Sequence, residues 1–313
     1  MKIEDIASVH LGKAGDGSVV KPYVTPTAVD PSLLVAIPRA LNREQYKIAD
    51  NSLPFVGRDI WNAYEFSTLL RNGYPLSGVL RIQYPASSTN IVESKSLKLY
   101  LNSYNMYKIA DTYDAAIRAV EDRVQEDLYK ILGPGLSTKF ITNVKATDYL
   151  DPISLPSYAI NLDDSDLRWF ENIEFSDYKE NADLLRVRNN KVSTQHFVHS
   201  HSLRSNCRVT NQPDWGDVYI YYKSKNGWIL PGDILKYIVS MRNENHFHEE
   251  VTECIYTRFW NRLQPEELMV ACLYTRRGGI DINPVRASSY KVLGDFANGL
   301  CSWSYLNTKT MRQ

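Results

Sequence analysis

The sequence predicts an α+β protein built from two copies of one strand–strand–helix–strand unit. The alternating apolar residues of 80–84 recur with the same spacing at 218–222, an offset of 138 positions. The same offset relates Pro75 to Pro213, just before these two stretches. Strand-like and helix-like patterns follow in the same order in both halves, and a repeat of this kind indicates tandem structural units.

The first half shows the elements of this unit clearly. Apolar alternation predicts three strands, over Val79–Tyr84, Leu97–Ser103 and Lys139–Val144. An apolar stripe with helical spacing predicts a helix between the second and third strands. Asp111 or Thr112 can cap the start of this helix, and Gly133, which is followed by a proline, ends it.

Composition and patterning divide the chain into four parts. They are an irregular N-terminal extension over 1–50, a first module over 51–150, an acidic linker over 151–190 and a second module over 191–313. The modules differ in their polar residues, because Cys207 and Asp214 of the second stand opposite Leu69 and Leu76 of the first. This difference is expected if one composite site lies where the modules meet.

Composition also excludes several classes of function. The chain has 313 residues, 43% hydrophobic and 23% charged, as in an ordinary globular protein. Its 36 basic and 36 acidic side chains cancel, so no overall field attracts nucleic acid or an anionic membrane. Because no apolar run is long enough to span a bilayer and no secretory signal opens the chain, we expect a cytoplasmic protein.

The four cysteines match no zinc-ribbon or redox spacing. Cys254 lies on the apolar side of a predicted helix and Cys272 in a strand-like run, and with Cys301 they are predicted to fill the core. Cys207 alone lies among polar, turn-forming neighbours. It is therefore the cysteine with a candidate chemical role.

Cys207 and Asp214 lie seven residues apart around a proline turn. A thiol attacks carbon as thiolate, and its ordinary pKa of about 8.5 means that an acid–base group must accompany it. Asp214 suits the role of proton carrier, because an ionised carboxylate beside a thiol raises the pKa of that thiol. The residues alone leave open that Cys207 is an ordinary core residue and Asp214 a turn residue.

A second polar group opens the helix that begins near residue 248. Acidic residues such as Glu249 and Glu250 fit the first turn of a helix through its dipole. His248 beside Glu249 can also bind the polar edge of a purine-like ring. Histidines on both sides of Cys207 raise the alternative of a metal site, but no metal-ligand spacing appears, so we predict no metal.

Two basic segments are candidates for binding phosphate. Lys95 and Lys98 follow Glu93, and Arg277 precedes Gly278 in a loop where the backbone can approach a ligand closely. Both segments could equally be solvated strand ends. The sequence has no G-x-G-x-x-G after a strand and no P-loop, so a nucleotide would be held by basic side chains.

Four segments together resemble the NADPH-dependent 7-cyano-7-deazaguanine reductases, the QueF nitrile reductases of queuosine biosynthesis. They are Glu93–Ser103, Ser205–Gly216, Phe247–Glu249 and Arg277–Pro284. The first carries the motif E-S-K-S-x-K-x-Y, which separates these reductases from relatives on the same fold. The order of the motifs resembles the long form, with tandem tunnel-fold (T-fold) modules, antiparallel sheets with helices packed on one face, and a homodimeric assembly.

The resemblance implies a role for each candidate residue. Cys207 would add to the nitrile carbon and form a thioimide, Asp214 would supply a proton to the nitrile nitrogen, and His248 would assist. Two NADPH would complete the reduction to 7-aminomethyl-7-deazaguanine, without contact with tRNA. The residues implied in substrate binding are Glu93, Ser94 and Glu249, and those implied in cofactor binding are Lys95, Ser96, Lys98, Arg277, Gly278 and Arg286.

Two residues depart from the family pattern, and other functions on the same fold are alternatives. Val285 stands where many long-form members have tryptophan, and Arg208 follows the cysteine where an apolar residue is usual. The alternatives are a zinc-dependent cyclohydrolase or an amidine-forming enzyme on the same fold, and a purine- or pterin-binding scaffold without turnover. The E-S-K-S-x-K motif argues against the two enzymes, and the presence of Cys207, Asp214 and His248 argues against the scaffold.

Overall fold

The computed structural model describes residues 26, 28–142, 153–164, 173–189, 191–208 and 211–302. The first half contains β1 (Ala36–Pro38), α1 (Ala40–Arg43), β2 (Val56–Leu70), β3 (Pro75–Pro85), β4 (Asn90–Val92), α2 (Ser94–Asn102), β5 (Lys108–Ala110), α3 (Tyr113–Leu132) and β6 (Ser137–Ile141). The remainder contains β7 (Ile160–Asn161), β8 (Val187–Arg188), β9 (Thr194–Cys207), β10 (Pro213–Ser224), β11 (Trp228–Ile229), α4 (Pro231–Ser240), β12 (Asn245–His246), α5 (His248–Leu263), β13 (Glu267–Tyr274), β14 (Ile280–Ala287) and α6 (Tyr290–Cys301).

One ten-stranded sheet runs through both halves of the chain. Its main path follows the order β12-β9-β10-β13-β14-β2-β3-β6, and the short strands β5 and β7 add to β2 and β9. The long strands of this path are antiparallel. The halves are joined where β14 pairs with β2, from Ile280↔Ala63 to Ala287↔Val56. Residues at the ends of β2, β9 and β14 are thereby held in one fixed arrangement.

The strands supply the repeated pattern seen in the sequence. β2 and β3 begin at Val56 and Pro75, and β9 and β10 begin at Thr194 and Pro213, so each pair starts 138 positions apart. Both pairs are followed by two helices in the same order. The fold class is therefore α+β with a largely antiparallel sheet, as the sequence predicted.

Helices cover the two faces of the sheet unequally. On one face, α2 and α3 pack on the first-half strands, and α4 and α5 pack on the second-half strands. The last helix, α6, lies on the opposite face, where Leu293 and Leu300 contact a separate apolar cluster. The prediction that all helices pack on one face is wrong for α6. The reason is that β13 and β14 are central strands with almost every side chain buried, so both faces of the sheet are covered there.

The predicted strand over Leu97–Ser103 is wrong, because these residues belong to α2. Leu97 and Leu101, four positions apart, are both buried, and this spacing fits one helix face as well as a strand. Glu93 caps the helix by accepting hydrogen bonds from the backbone N–H groups of Lys95 and Ser96. The cap decides the conformation, since it satisfies N–H groups that a helix start leaves without partners.

The other predicted elements agree with the structure. Thr112 caps α3 through its hydroxyl, and Gly133 ends the helix with a positive φ of 74°. The strand predicted at Val79–Tyr84 lies within β3. The strand predicted at Lys139–Val144 is observed as β6 over Ser137–Ile141, and residues 143 and 144 lie outside the described part. No helix in the described segments is long and apolar enough to cross a bilayer.

Candidate active site

A cleft of about 580 Å³, counting the space at its open mouth, lies where the two halves of the chain meet. The first half contributes residues around β2 and the start of α2, and the second half contributes the end of β9 and the start of α5. The lining residues are Trp61, Ile91, Val92, Glu93, Ser94, Cys207, Asp214, His246, Phe247, His248, Glu249, Arg277, Ile280 and Ile282.

Cys207 is the last residue of β9, and its thiol is half-buried and free. The N–H of Cys207 donates to the carbonyl of Gln212 at 2.7 Å, which holds the end of β9 beside the start of β10. The N–H of Asn211 in turn donates to the carbonyl of Cys207. Asn211 adopts a left-handed backbone conformation with φ 56°. Asn tolerates this conformation better than most residues, so the local sequence positions the thiol. Cys254 and Cys272 are fully buried, as predicted for core residues.

Asp214 lies one residue into β10 and is 3% exposed. Arg277 donates to its Oδ1 at 2.6 Å, and His248 Nε2 lies 3.4 Å from its Oδ2. Burial opposes ionisation of Asp214, but the contacts with His248 and Arg277 outweigh it and lower the pKa of this carboxyl. Asp214 is therefore an ionised carboxylate that is paired with two cationic or proton-bearing side chains.

His248 is the first residue of α5, and its ring is held in place by contacts with Tyr274 and Asp214. Its ring stacks on Tyr274 of β13, with the centroids 3.8 Å apart and the planes 11° apart. This stacking and the contact with Asp214 hold the imidazole in one orientation at the cleft wall. His248 is thus placed to exchange a proton with Asp214.

Glu249 is the second residue of α5 and is 3% exposed. Burial and the negative charge of Asp59 raise the pKa of Glu249 to about 7, and Arg39 partly opposes this rise. The hydroxyl of Tyr84 lies 3.5 Å from one of its carboxylate oxygens. A carboxylate with few internal donors is suited to accept N–H groups from a ligand.

Arg286 lies outside the cleft. It is fully buried and donates to Asp59 at 2.8 Å and to Glu253 at 2.9 Å. Arg39 and Arg43 from the N-terminal segment bind the same two carboxylates. This burial contradicts the predicted contact between Arg286 and a cofactor phosphate. The physical reason is that a buried acid pair needs compensating cations.

The buried network should contribute strongly to stability. We expect Arg286→Ala to lower the free energy of unfolding by about 3–5 kcal/mol, because it leaves two buried carboxylates short of a cation. Arg71→Ala, which removes an exposed pair with Asp111, should cost at most about 1 kcal/mol. Urea unfolding of both variants measures the difference. Equal losses would show that Arg286 is not a structural residue of this kind.

The E-S-K-S segment lies at the edge of the cleft. Glu93 and Ser94 line it. Lys95 is exposed, whereas Ser96 is buried and its hydroxyl donates to the carbonyl of Glu93 at 2.7 Å. The side chain of Ser96 is therefore used inside the protein, and it also accepts from the N–H of Val35. The structure brings Glu93 and Ser94, but not the Ser96 hydroxyl, to the ligand side.

Lys98 and Gly278 meet in a depression of about 260 Å³ that shares Ile280 with the cleft. Gly278 has a positive φ of 59°, and a Cβ atom there would lie 2.7 Å from Lys98 Nζ. Lys98 Nζ is 4.0 Å from the nearest carboxylate oxygen, on Glu65. A glycine backbone beside a half-exposed ammonium group is an arrangement that fits a phosphate.

Several cleft residues were not among the predicted site residues. Trp61, Ile280 and Ile282 form an apolar wall, and His246 and Phe247 precede α5. The wall residues show only strand alternation, which does not distinguish a core position from a binding position. In the described part of the chain, no group of three or more histidine, cysteine or acidic residues is arranged to hold a metal ion.

The family of the chain follows from comparison with known proteins. Residues 25–140 match the family model described as nitrile reductase, 7-cyano-7-deazaguanine-reductase N-terminal, and residues 213–292 match a QueF-like protein model. Together the two models cover more than half of the chain. The protein is thus an oxidoreductase of the nitrile reductase class.

Curated relatives define the family more closely. The chain is 39% identical to the NADPH-dependent 7-cyano-7-deazaguanine reductase of Colwellia psychrerythraea, with 91% of this chain and 93% of the relative covered. It is 41% identical to the enzyme of that name from Dechloromonas aromatica, with 85% and 87% covered. The chain belongs to the family of NADPH-dependent 7-cyano-7-deazaguanine reductases.

One solved structure is also similar to part of the chain. It is the apo form of the archaeosine synthase QueF-Like, at 15% identity and a TM-score of 0.28, which covers 32% of this chain and 95% of that one.

Proposed function

We propose that this protein reduces the nitrile of 7-cyano-7-deazaguanine to the primary amine in queuosine biosynthesis, through a covalent thioimide on Cys207. The single observation that carries this mechanism is the cleft in which a half-buried free thiol lies with the ion-paired carboxylate of Asp214. Cysteine nucleophiles require such an acid–base partner. The curated relatives are named for the same substrate.

The first step adds the thiol across the nitrile. Asp214 starts ionised and takes the proton from sulfur, sulfur bonds to the nitrile carbon, and the proton passes to the nitrile nitrogen. No net charge is created, because the thiol hydrogen ends on nitrogen. His248, 3.4 Å from Asp214, orients the carboxylate and shares its proton. Because its pKa is lowered, the Asp214 carboxyl holds the proton only briefly and passes it on readily to the nitrile nitrogen.

Substrate orientation is assigned to Glu249, Glu93 and the apolar wall. The Glu249 carboxylate would accept the ring N–H and amino groups of the purine-like edge, which apolar residues cannot recognise. Trp61 and Ile282 would pack on the planar ring. Glu93 keeps lone pairs for the ligand, since its carboxylate is used by only two backbone N–H groups.

The depression beside the cleft is the proposed place for the phosphates of NADPH. Two NADPH molecules, bound in turn, would each supply one hydride to carbon, because conversion of a nitrile to an amine takes four electrons, and one proton from solvent would accompany each hydride. Lys98 and the backbone of Gly278 would hold a phosphate, and exposed Lys95 would add positive charge. Between the two reductions the carbon–sulfur bond breaks, and Asp214 and His248 return a proton to Cys207.

The direct test combines the purified protein, 7-cyano-7-deazaguanine and NADPH. We expect two NADPH to be oxidised for each primary amine that is formed. A stable adduct without NADPH oxidation would favour the amidine-forming alternative, and binding without an adduct would favour a scaffold. Absorbance of NADPH and mass spectrometry of the product measure both outcomes.

Substitution of Lys98 tests the proposed site for the phosphates of NADPH. Lys98→Ala should raise the KM for NADPH about tenfold, because one charged contact to phosphate is worth about 1.5–3 kcal/mol. The free energy of unfolding should change little, since Lys98 is only half-buried and 4.0 Å from Glu65. Lys130→Ala on α3 is the matched control, with an unchanged KM. An unchanged KM in the Lys98 variant would place the phosphates elsewhere.

We further propose that the protein acts in the cytoplasm as a homodimer, without binding nucleic acid or membrane. The balance of 36 basic and 36 acidic side chains supports the lack of attraction to polyanions.

A further inference from the structure

The charge on Cys207 needs a partner when its proton leaves. Two arginines, one next to Cys207 in the sequence and one in the wall of the same cleft, are already bound to carboxylates. Arg277 binds Asp214 at 2.6 Å, and the guanidinium of Arg208 binds Glu250 at 3.0 Å and Asn42 at 2.5 Å. Asp214 itself is negative and opposes a second negative charge beside it. Both arginines are thus used to neutralise carboxylates of the site.

His246 lies directly beside Cys207. β12 runs parallel to β9 with His246 as the Cα partner of Cys207, and both residues line the same cleft. Neighbouring strands are about 4.8 Å apart, so directly paired side chains on one face are close neighbours. His246 is 6% exposed, which places its ring in a region where charges are poorly screened.

Each ring nitrogen of His246 faces a carboxylate. Nδ1 lies 3.0 Å from Glu250 of α5, and Nε2 lies 3.2 Å from Glu244. Tyr46, from the N-terminal segment, also approaches Nε2 at 3.1 Å. Among the described residues, Nδ1 has no well-aligned hydrogen-bond partner, so its contact with Glu250 is favourable mainly through charge. A neutral imidazole carries one N–H, whereas the imidazolium offers a proton to both carboxylates.

The sum of the charges around Cys207 also favours a positively charged His246. With a neutral imidazole, Arg208, Glu250 and Glu244 would leave one net negative charge around the cysteine, which would oppose thiolate formation. With an imidazolium the group is neutral, and the residue paired with Cys207 across the two strands is positive. We propose that His246 is held as an imidazolium by Glu244 and Glu250 and stabilises the thiolate of Cys207 while Asp214 carries the proton.

This inference rests on the proposed nucleophilic role of Cys207, but its test does not require turnover. His246→Gln keeps a polar side chain of similar size without the positive charge. At neutral pH its rate of Cys207 alkylation by iodoacetamide should fall about tenfold, and the pH profile of alkylation should move to higher pH. Alkylation is located by mass spectrometry of Cys207, and an unchanged near-ultraviolet circular dichroism spectrum shows that the variant is folded.

Glu244→Gln is the second variant, since it leaves His246 in place and removes one carboxylate. It should slow alkylation in the wild-type background and have no further effect in the His246→Gln background. His199→Gln, a histidine on β9 outside the cleft, should leave alkylation unchanged. If His246→Gln is folded and alkylates with the wild-type pH profile, the inference fails. In that case, a normal adduct with the nitrile would leave the proposed function intact.

Discussion

Replacement of Cys207 by alanine is expected to abolish both the covalent adduct and the reduction, with activity lowered by more than about 10³-fold. The thiol is the group proposed to bond to the nitrile carbon, so its removal takes away the covalent step. Non-covalent binding should remain measurable, because Glu249, Glu93 and the apolar wall are unchanged. Intact-protein mass spectrometry reports the adduct, and calorimetry reports binding.

Cys301 provides the matched control for this variant. It is half-buried and free like Cys207, but it ends α6 on the opposite face of the sheet. Cys301→Ala should form the adduct and turn over at the wild-type rate. An adduct that survives in Cys207→Ala would assign the nucleophile to another residue.

Substrate affinity should depend on pH through Glu249. The pKa of this buried carboxyl is raised to about 7, and only its ionised form can accept both N–H groups of the ligand. Below that pH the dissociation constant should rise about tenfold for each pH unit, since binding must first remove one proton. Glu249→Gln should weaken binding about a hundredfold at pH 8 and remove the pH dependence. Calorimetric titration from pH 5.5 to pH 8.5 checks both effects.

The effect of Glu249 on the free energy of unfolding should change with pH in the opposite direction to its effect on substrate affinity. A raised pKa means that the folded state favours the protonated carboxyl, so Glu249 costs stability as pH rises from its ordinary pKa of 4.5 to about 7, and the full cost persists above that pH. Glu249→Gln should therefore be more stable than wild type at pH 8, by roughly 1–3 kcal/mol, and similar to it near pH 4.5. Glu267→Gln, on the other side of the molecule, should show no such gain. Loss of stability at pH 8 in Glu249→Gln would contradict the buried-charge explanation.

The sequence predicted those features correctly that depend on interactions between residues close together in the chain. The N-cap at Thr112 and the helix end at Gly133 could be predicted because both act through neighbouring backbone groups. The strand predicted at Leu97–Ser103 failed because its alternating leucines fit two periodicities, and the deciding signal was the capping side chain of Glu93.

The basic residues were the least predictable part of the site. Lys98, Arg277 and Arg286 look alike in the sequence, yet they have three different environments. Lys98 faces a depression, Arg277 binds the carboxylate of Asp214, and Arg286 neutralises buried acids. An arginine carries the same charge in each case, and only its distant partners determine what that charge does. Asp59, for example, is 227 positions from Arg286.

The sequence by itself determined the α+β class, the internal repeat and the family motifs with their cysteine and aspartate. These properties depend on spacing along the chain and on short-range backbone chemistry. The unequal polar residues of the two halves also predicted one site at their junction. Only the tertiary structure decided that the pairing of β14 with β2 joins the halves there, that Glu249 is buried near Asp59, and that His246 is paired with Cys207. Those facts depend on burial and on contacts between residues far apart in sequence, which no local pattern records.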